Sequence, residues 1–332
     1  MPFAKDNVSV NAMGGTEIMK YALQEVIDPK LLEDFQIFSS RVHEKMSDQH
    51  IRILWLHDLE GDPESEHLKN NGWEKFHKLV FVSNWQMRGY IERYNIPWSR
   101  CMVIQNSIVP FESPKEKPVD EIRLIYTPTP HRGLDILYTV FDALCKEYDN
   151  LKLDVYSSFK LYGWEERDKE YQKLFDALKA HPKINYFGSR PNSEVRESLQ
   201  KAHIFAYPSV WMETSCLCLI EAMSAGLVCV HPNYGALPET SGNMTFMYQM
   251  QDSKNDHASV LYKQLQYVIE AYKNPEVKDG LDHLLIKQKQ YTDDIYSRDK
   301  WQKKWNYFLQ EMIDLNPPRS LSSGQFFSYK TS

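Results

Sequence analysis

Two glutamates, Glu213 and Glu221, lie eight positions apart in a stretch of otherwise small and apolar residues, PSVWMETSCLCLIEAMSAGLVCV (208–230). Carboxylates are rarely buried without a partner, because removing their charge from water is costly. Such a pair could accept hydrogen bonds from the hydroxyl groups of a ligand. The alternative is structural: the first glutamate would be a solvated cap residue and the second a surface residue of the following helix.

A helix between the two glutamates would add an anion site. Thr214 and Ser215 are good N-cap residues, so the helix can run from about Cys216 to Gly226, where glycine favours a stop. The first glutamate would then lie just outside the helix N-terminus, and the second about two turns along it. Free backbone N–H groups and the helix dipole favour a phosphate at this end. A ligand that is part phosphate and part hydroxyl, such as a nucleotide sugar, suits this arrangement.

Further polar or glycine positions could reach the same ligand. The tetrapeptide GGTE at a helix start could let the backbone approach a phosphate, although Gly14 and Gly15 could equally form a plain turn with Thr16 as the cap. His57 and Asn106 follow apolar strands, and ligands of parallel sheets bind at the carboxyl ends of strands. The alternative for a single histidine at a strand end is a structural or surface role.

The elements that must position these residues alternate along the chain. Apolar runs of strand length alternate with helical patterns of about 10–15 residues, which favours parallel, doubly wound α/β lobes. The predicted strands span 35–38, 51–58, 78–84, 101–108, 123–127, 151–158, 183–188, 203–209 and 227–231. The predicted helices span 16–27, 85–94, 133–148, 170–181, 193–202, 216–226 and 297–313.

A segment with three prolines and alternating charges, VPFESPKEKPVDE (109–121), separates two such series and predicts an interdomain linker. We therefore expect a first Rossmann-like lobe over 1–110 and a second one over 118–292. Residues 293–332 should form a helix that packs back on the body of the protein, followed by a flexible tail.

The composition excludes some classes of protein. The chain has 332 residues and a formal net charge of -6, which gives no general attraction to nucleic acid or anionic lipid but leaves a local basic groove open. Its five cysteines fall mostly in apolar runs without a regular framework, which predicts free thiols and no metal site. Since no apolar run reaches the length of a signal-peptide core or a membrane span, we expect a cytoplasmic protein, with peripheral membrane contact left open.

The surroundings of the two glutamates resemble glycosyltransferase family 4, retaining enzymes of the GT-B fold. Glu213 and Glu221 fit the family's E-x7-E motif, and the segments AYPS, EAMSAG and GALPE fit its context. The resemblance runs from about Gly14 to Glu239 and implies two Rossmann-like lobes that face a cleft. The first lobe looks shortened, because residues 1–13 are too polar and short for the family's first strand.

By this resemblance the cleft holds a nucleoside-diphosphate sugar, in the UDP or GDP form, and no cofactor is needed. Glu213 would contact the donor sugar and Glu221 the ribose. The implied catalytic residues are His57, Arg132 and Glu213. The implied donor-binding residues are Gly14, Gly15, Thr16, Arg132, Glu213, Thr214, Ser215, Cys216, Leu217 and Glu221. On the acceptor side we expect Asn84 and Asn106.

Two features depart from the family pattern. The family has an Arg and a Lys about six apart at the first strand–helix turn of the second lobe; here YTPTPHRGLDIL offers Arg132 in the lysine position, with no second cation before it. His131, Lys160 or Arg190 could supply the missing charge. Ser107 also replaces the glycine that follows the family's asparagine.

The predicted reaction is retaining transfer of a sugar to a hydroxyl acceptor, a glycan or glycolipid by default. No Asp-x-Asp motif is present, so we expect no divalent metal at the diphosphate. A protein side chain or a modified nucleic-acid base is not excluded as acceptor, although the net charge gives nucleic acid no support. Two other functions stay open: another GT-B activity such as a nucleotide-sugar epimerase, and a catalytically silent nucleotide-sugar-binding protein, which the missing cation would favour.

Overall fold

The computed structural model describes residues 14–112 and 117–316, which fold into two α/β lobes. The sheet of the first lobe has four parallel strands in the order β1-β2-β3-β4. Its strands are β1 (Phe35–Ser39), β2 (Ile51–Leu56), β3 (Lys78–Phe81) and β4 (Cys101–Val103). Its helices are α1 (Gly15–Val26), α2 (Pro29–Leu32) and α3 (Asn84–Tyr94).

The sheet of the second lobe has six parallel strands in the order β10-β9-β8-β5-β6-β7. Its strands are β5 (Ile122–Tyr126), β6 (Leu151–Val155), β7 (Ile184–Tyr186), β8 (Ile204–Ala206), β9 (Val228–Pro232) and β10 (Phe246–Tyr248). Its helices are α4 (Leu134–Leu144), α5 (Gln172–Ala180), α6 (Asn192–Lys201), α7 (Leu217–Ser224), α8 (Leu237–Ser241), α9 (Lys254–Lys273) and α10 (Pro275–Tyr296). The prediction of two parallel-sheet α/β lobes is confirmed. The strand order reverses between β5 and β8, as in a doubly wound sheet, whereas the described strands of the first lobe lie in chain order.

The central strands of both sheets are stable because both faces of each sheet are covered by packed residues. All five residues of β9 and five of the six residues of β2 are buried. Parallel strands covered on both sides read as continuous apolar runs, and this pattern made them recognisable in the sequence. The predicted strand over 101–108 is shorter than expected, because β4 pairs with β3 alone and β3 ends at Phe81, opposite Val103.

The last described helix, α11 (Arg298–Leu315), returns to the first lobe. Its Trp301 and Trp305 pack on Trp55 of β2, with ring centroids 6.2 and 4.9 Å apart. The chain passes from the second lobe back to the first between α10 and α11, and two hydrogen bonds to Ile108 hold it there. The Ile108 N–H donates to the Tyr296 carbonyl, and the Ile108 carbonyl accepts from the Arg298 N–H, each at 2.9 Å. The predicted flexible tail and residues 1–13 lie outside the described residues. Across residues 14–112 and 117–316, no helix combines the length and the apolarity needed to cross a membrane.

Candidate active site

A cleft of about 1870 Å³ opens between the lobes, at the carboxyl ends of strands from both sheets. Ligands of open parallel sheets bind at this edge. Most of the residues predicted for the site line the cleft, and they come from segments far apart in the chain. They are Gly15, Thr16, His57, Asn106, Arg132, Glu213, Thr214, Ser215, Cys216, Leu217 and Glu221.

The glycines of GGTE lie where the two lobes meet. A Cβ atom on Gly14 would stand 2.5 Å from Tyr162 Cε1, and one on Gly15 would stand 3.4 Å from Leu217 Cδ1. A larger residue at the first position would therefore displace the Tyr162 side chain of the second lobe. Thr16 is the second residue of α1, whose N-cap is Gly14, so Thr16 does not cap the helix.

The carboxylate of Glu213 is buried in the cleft wall. The same oxygen, Oε1, accepts hydrogen bonds from Arg132 Nη1 and from the Tyr207 hydroxyl. Burial disfavours the charged guanidinium, but the adjacent carboxylate outweighs this effect and raises the pKa of Arg132 above its usual value. A solvated cap residue, the structural alternative for Glu213, is therefore wrong. Sequence reasoning missed Tyr207, although it lies in the quoted segment AYPS.

The backbone of Glu213 is held as firmly as its side chain. Its carbonyl accepts a hydrogen bond from the Ala236 N–H at 2.7 Å. A Cβ atom on Gly235, where φ is +60°, would lie 2.7 Å from the Glu213 nitrogen and carbonyl oxygen. The GALPE segment thus needs glycine at this turn, because its backbone presses directly against the first glutamate.

Helix α7 begins later than the sequence predicts. Its N-cap is Cys216, with no side-chain hydrogen bond to the first turn, so the predicted caps Thr214 and Ser215 are wrong. The hydroxyl of Thr214 donates instead to the His57 carbonyl of the first lobe at 2.7 Å. Without a side-chain cap, the first N–H groups of α7 keep the capacity to bind an anion. Glu221 is the fifth residue of the helix, little more than one turn from its start rather than two.

Glu221 is also paired. Its Oε1 accepts from Arg196 Nη1 at 3.0 Å and lies 3.4 Å from Asn192 Nδ2. Burial raises the pKa of Glu221, and the charge of Arg196 opposes this rise. With 14% of its side chain exposed, Glu221 is not the surface residue of the structural alternative. Arg196 was missed by sequence reasoning, since nothing in SEVRESLQKA marks it.

His57 and Asn106 present polar atoms to the cleft from the first lobe. Burial lowers the pKa of His57 to about 3, so its imidazole is neutral at physiological pH. Its Nε2 and the Oδ1 of Asn106 are both buried and have no hydrogen-bond partner within the described residues. Because buried polar atoms favour a hydrogen-bond partner, these two atoms are available to the hydroxyl groups of a ligand bound in the cleft.

His131 is neutral at physiological pH in the ligand-free protein, so it is the least suited of the three residues predicted to supply the missing charge. Burial lowers its pKa to about 4, and the neighbouring Arg132 lowers it further, because two positive charges repel. The neutral imidazole stacks on Phe159, with ring centroids 5.2 Å apart. Its contribution to a diphosphate site is therefore a hydrogen bond or a packing surface rather than a charge.

Three cations besides Arg132 line the second-lobe wall. Lys160 lies 3.1 Å from Glu165, and Arg190 lies 4.0 Å from Glu194, so both have acidic partners. Arg167, which sequence reasoning missed, also lines the cleft. Exposed ion pairs of this kind are weak, so a diphosphate could compete for these cations.

Asn84 lies outside the lining of the cleft. It is the first residue of α3, and its backbone N–H and its Nδ2 each donate to Glu239 Oε1 of the second lobe at 2.8 Å. Asn84 therefore contacts the opposite lobe rather than the open space of the cleft. Its acceptor-side role stays a prediction.

All five cysteines are free thiols. Burial raises the pKa of the Cys216 thiol, whereas the hydrogen bond from Cys216 lowers the pKa of Cys218, which lines the cleft. In the part of the chain that the structure describes, no group of three or more His, Cys, Asp or Glu side chains is arranged to hold a metal ion. Metal independence of the reaction stays a prediction.

Comparison with known proteins places this site in a matched segment. Residues 112–249, which include Arg132, Glu213 and Glu221, match the family described as glycosyl transferases group 1. A curated relative, the phosphatidylinositol N-acetylglucosaminyltransferase GPI3 subunit of Saccharomyces cerevisiae strain YJM789, is 23% identical over 202 residues, which are 58% of this chain and 43% of the relative. The chain thus spans less than half the length of that relative.

Solved structures share the two-lobed fold. A glycosyltransferase from Rickettsia africae ESF-5 superposes with a TM-score of 0.63 at 14% identity, covering 93% of this chain and 84% of the other. The pneumococcal O-GlcNAc transferase GtfA, solved in complex with UDP and GlcNAc, superposes with a TM-score of 0.60 at 13% identity, covering 80% of this chain and 53% of the other. At these identities the likeness shows the GT-B fold alone.

Proposed function

We propose that this chain, whose residues 112–249 match the glycosyl transferases group 1, is a retaining glycosyltransferase that moves a sugar from a nucleoside-diphosphate sugar to a hydroxyl acceptor. One observation carries the proposal. The wall of a single cleft holds the Arg132–Glu213 pair before the start of α7, and Glu221 within that helix. The helix start between the two carboxylates has no side-chain cap.

The donor is bound along α7 in this proposal. Its diphosphate accepts hydrogen bonds from the first N–H groups of the helix, where the dipole favours negative charge. Its ribose hydroxyls donate to Glu221, and its sugar hydroxyls donate to Glu213. The carboxylates suit this division, because ionised carboxylates only accept hydrogen bonds and hydroxyls can donate them.

Catalysis is electrostatic in this proposal. As the glycosidic bond breaks, negative charge gathers on the leaving diphosphate, and a guanidinium fixed in a buried site stabilises that charge without reorganisation. We assign this role to Arg132, because its pair with Glu213 holds it beside the proposed sugar site. His57, as a neutral imidazole, can hydrogen-bond the donor sugar from the first lobe. No protein nucleophile is assigned, since in a retaining reaction of this type the leaving phosphate assists deprotonation of the incoming hydroxyl.

The donor form and the acceptor complete the proposal. UDP is the first nucleotide to test, because a solved structure that shares the fold was obtained with UDP and GlcNAc; GDP is the second. The acceptor is a glycan or a glycolipid, and transfer needs no divalent metal. The name of the curated relative, which contains phosphatidylinositol, makes a lipid-linked acceptor worth including. The proposal keeps the cytoplasmic location that the sequence predicts, with peripheral membrane contact left open.

The first experiment identifies the nucleotide. Thermal unfolding is measured with a series of nucleoside diphosphates, since a ligand present at 100 times its Kd stabilises the protein by about 2.7 kcal/mol. Glu221→Ala should lose this stabilisation. Glu276→Ala, which removes an exposed glutamate of α10 outside the cleft, should keep it. If no nucleoside diphosphate stabilises the native protein, the nucleotide site is wrong.

The second experiment separates the functions. Donor turnover is measured with and without sugar acceptors, and NMR of the product gives its anomeric configuration. A glycosyltransferase turns over the donor faster with an acceptor and, if retaining, keeps the configuration. An epimerase converts the donor without any acceptor. Donor binding without turnover under all conditions would identify a silent binding protein and refute the proposed activity.

A further inference from the structure

Glu239, on the short helix α8, contacts the opposite lobe. Its carboxylate accepts three hydrogen bonds of 2.8 Å each: from the backbone N–H and Nδ2 of Asn84 and from the backbone N–H of Trp85. The two backbone N–H groups belong to the first turn of α3, where no intrahelical acceptor is available. A negative charge is also favourable at a helix N-terminus. A second-lobe carboxylate thus caps a first-lobe helix.

The second-lobe end of this contact leads to Glu213. Helix α8 starts at Leu237, directly after Ala236, whose N–H donates to the Glu213 carbonyl at 2.7 Å. Helix α8 is also held against α10, because the Tyr296 hydroxyl of α10 donates to the Thr240 carbonyl of α8 at 3.0 Å. Glu239 and Glu213 therefore belong to one hydrogen-bonded unit.

The first-lobe end leads to His57. In the first turn of α3, Gln86 donates from Nε2 to the Asp58 carbonyl at 2.7 Å and accepts the Val82 N–H at 3.0 Å. This fixes α3 against the end of β2, where His57 precedes Asp58. A second contact joins the lobes at this point, since Thr214 Oγ1 of the second lobe donates to the His57 carbonyl of the first lobe at 2.7 Å.

We propose that Glu239 is a positioning residue that sets the separation between His57 and Glu213 by joining the two lobes at the start of α3. It is not a catalytic residue, because it does not line the cleft. Reacting groups that come from two lobes act together only if the lobes hold a defined separation. The importance of that separation for transfer rests on the proposed function, whereas the contact between the lobes does not.

Hydrogen exchange and small-angle X-ray scattering of the ligand-free protein test whether Glu239 joins the two lobes. Glu239→Ala should speed exchange of the Asn84 and Trp85 amides several-fold and increase the radius of gyration. Glu239→Gln keeps one acceptor oxygen and should restore part of both. The matched control is Asp28→Ala, which removes a carboxylate that caps α2 through the Lys30 N–H at 2.9 Å within one lobe. This control should change exchange at α2 and leave the scattering unchanged.

A second variant tests the same contact from the first lobe. Asn84 is the first residue of α3, a position that accepts proline, so Asn84→Pro removes two of the three donors while preserving the helix. It should open the lobes as Glu239→Ala does, and the effects of the two changes should not add. If Glu239→Ala fails to fold, Asn84→Pro and Glu239→Gln decide the question. Unchanged exchange at Trp85 and unchanged scattering in the folded variants would overturn the inference.

Kinetics then separate this inference from the proposed function. Glu239→Ala should lower kcat for donor turnover several-fold and change the affinity for UDP much less, because the proposed main diphosphate contacts, Arg132 and the start of α7, are both in the second lobe. Loss of UDP affinity equal to the loss in kcat would contradict a positioning role. If the native protein turns over no donor, the proposed function fails, and the exchange and scattering results still decide whether Glu239 joins the lobes.

Discussion

Arg132 and Glu213 form an ion pair in the wall of the cleft, with 20% and 7% of their side chains exposed. The Tyr207 hydroxyl donates to the same carboxylate oxygen, so the glutamate is held by a cation and a neutral donor together. Removing one partner of such a pair leaves an uncompensated charge in a partly dry site. The two residues also have different predicted roles, one at the phosphate and one at the sugar. Variants of the two residues should therefore differ in how strongly they affect the binding of the free diphosphate and of the complete donor.

Glu213→Ala and Glu221→Ala should differ in their effects on the two ligands. Glu221→Ala should weaken the binding of the free nucleoside diphosphate and of the intact donor alike, because both ligands contain ribose. Glu213→Ala should weaken donor binding or turnover without weakening the binding of free diphosphate, because the substitution leaves the Arg132 charge in the cleft without its acidic partner. Each loss should exceed about tenfold, since a hydrogen bond to a charged group is worth about 1.5–3 kcal/mol. Calorimetric titration of both folded variants measures this, and equal losses of diphosphate affinity would contradict the assigned roles.

Arg132→Ala should reduce diphosphate affinity and turnover more than His131→Ala does. The reason is charge, because the guanidinium stays protonated whereas burial lowers the pKa of His131 to about 4. Binding titrations and donor turnover compare the two variants at pH 7. Near-normal values in both would mean that other cations of the cleft, such as Lys160 or Arg190, hold the diphosphate.

Donor turnover should survive an excess of EDTA. The negative charge of the diphosphate is stabilised in this proposal by Arg132 and by the start of α7, so no metal ion is needed for that step. The measurement is initial rate with EDTA, compared with added magnesium or manganese. Complete loss of activity that either metal restores would refute metal independence.

Cys218 should be the first thiol to react with N-ethylmaleimide at pH 7.5, because the thiolate is the reactive form. The hydrogen bond from Cys216 lowers the pKa of Cys218, whereas burial raises the pKa of Cys101 to about 11 and that of Cys145 above its usual value. Since Cys218 lines the cleft, the nucleoside diphosphate that stabilises the protein should slow the reaction. Peptide mass spectrometry identifies the modified residue, with Cys218→Ser as the control. Earlier modification of Cys101 would contradict the prediction.

The protein should lose stability as the pH falls below about 6.5. His231 is fully buried, and burial lowers its pKa to about 4. The unfolded chain takes up a proton near pH 6.5 that the folded state refuses until about pH 4, so His231 favours folding above this window and loses its contribution within it. The loss between pH 7 and pH 5 is about 2 kcal/mol for such a group.

Urea unfolding at pH 5, 6 and 7 measures this dependence. His231→Gln should flatten the slope of unfolding free energy against pH, although burial lowers the pKa of His57 and His203 as well, so part of the slope should persist. An unchanged slope in the folded variant would show that His231 does not titrate as predicted.

Local patterns in the sequence were enough to predict the fold and part of the candidate site. Continuous apolar runs and helical spacing are short-range signals, so the two parallel-sheet lobes could be predicted from strands such as β2 and β9. The candidate donor site could be predicted from the spacing of Glu213 and Glu221 together with the resemblance of their surroundings to glycosyltransferase family 4, because both glutamates lie within one segment. Helix ends were less accurate: α7 starts after Thr214 because that hydroxyl finds its partner in the other lobe.

Tertiary structure alone decided the partners of these residues. Glu213 with Arg132, Glu221 with Arg196, and Glu239 with Asn84 are separated by 81, 25 and 155 positions, and no pattern along the chain joins them. The neutral state of His131 was equally unreadable, since it depends on burial and on a neighbouring charge in space. Local geometry follows from neighbours in sequence, whereas ion pairs, pKa values and contacts between lobes follow from distances that exist only after the sheets and helices have packed.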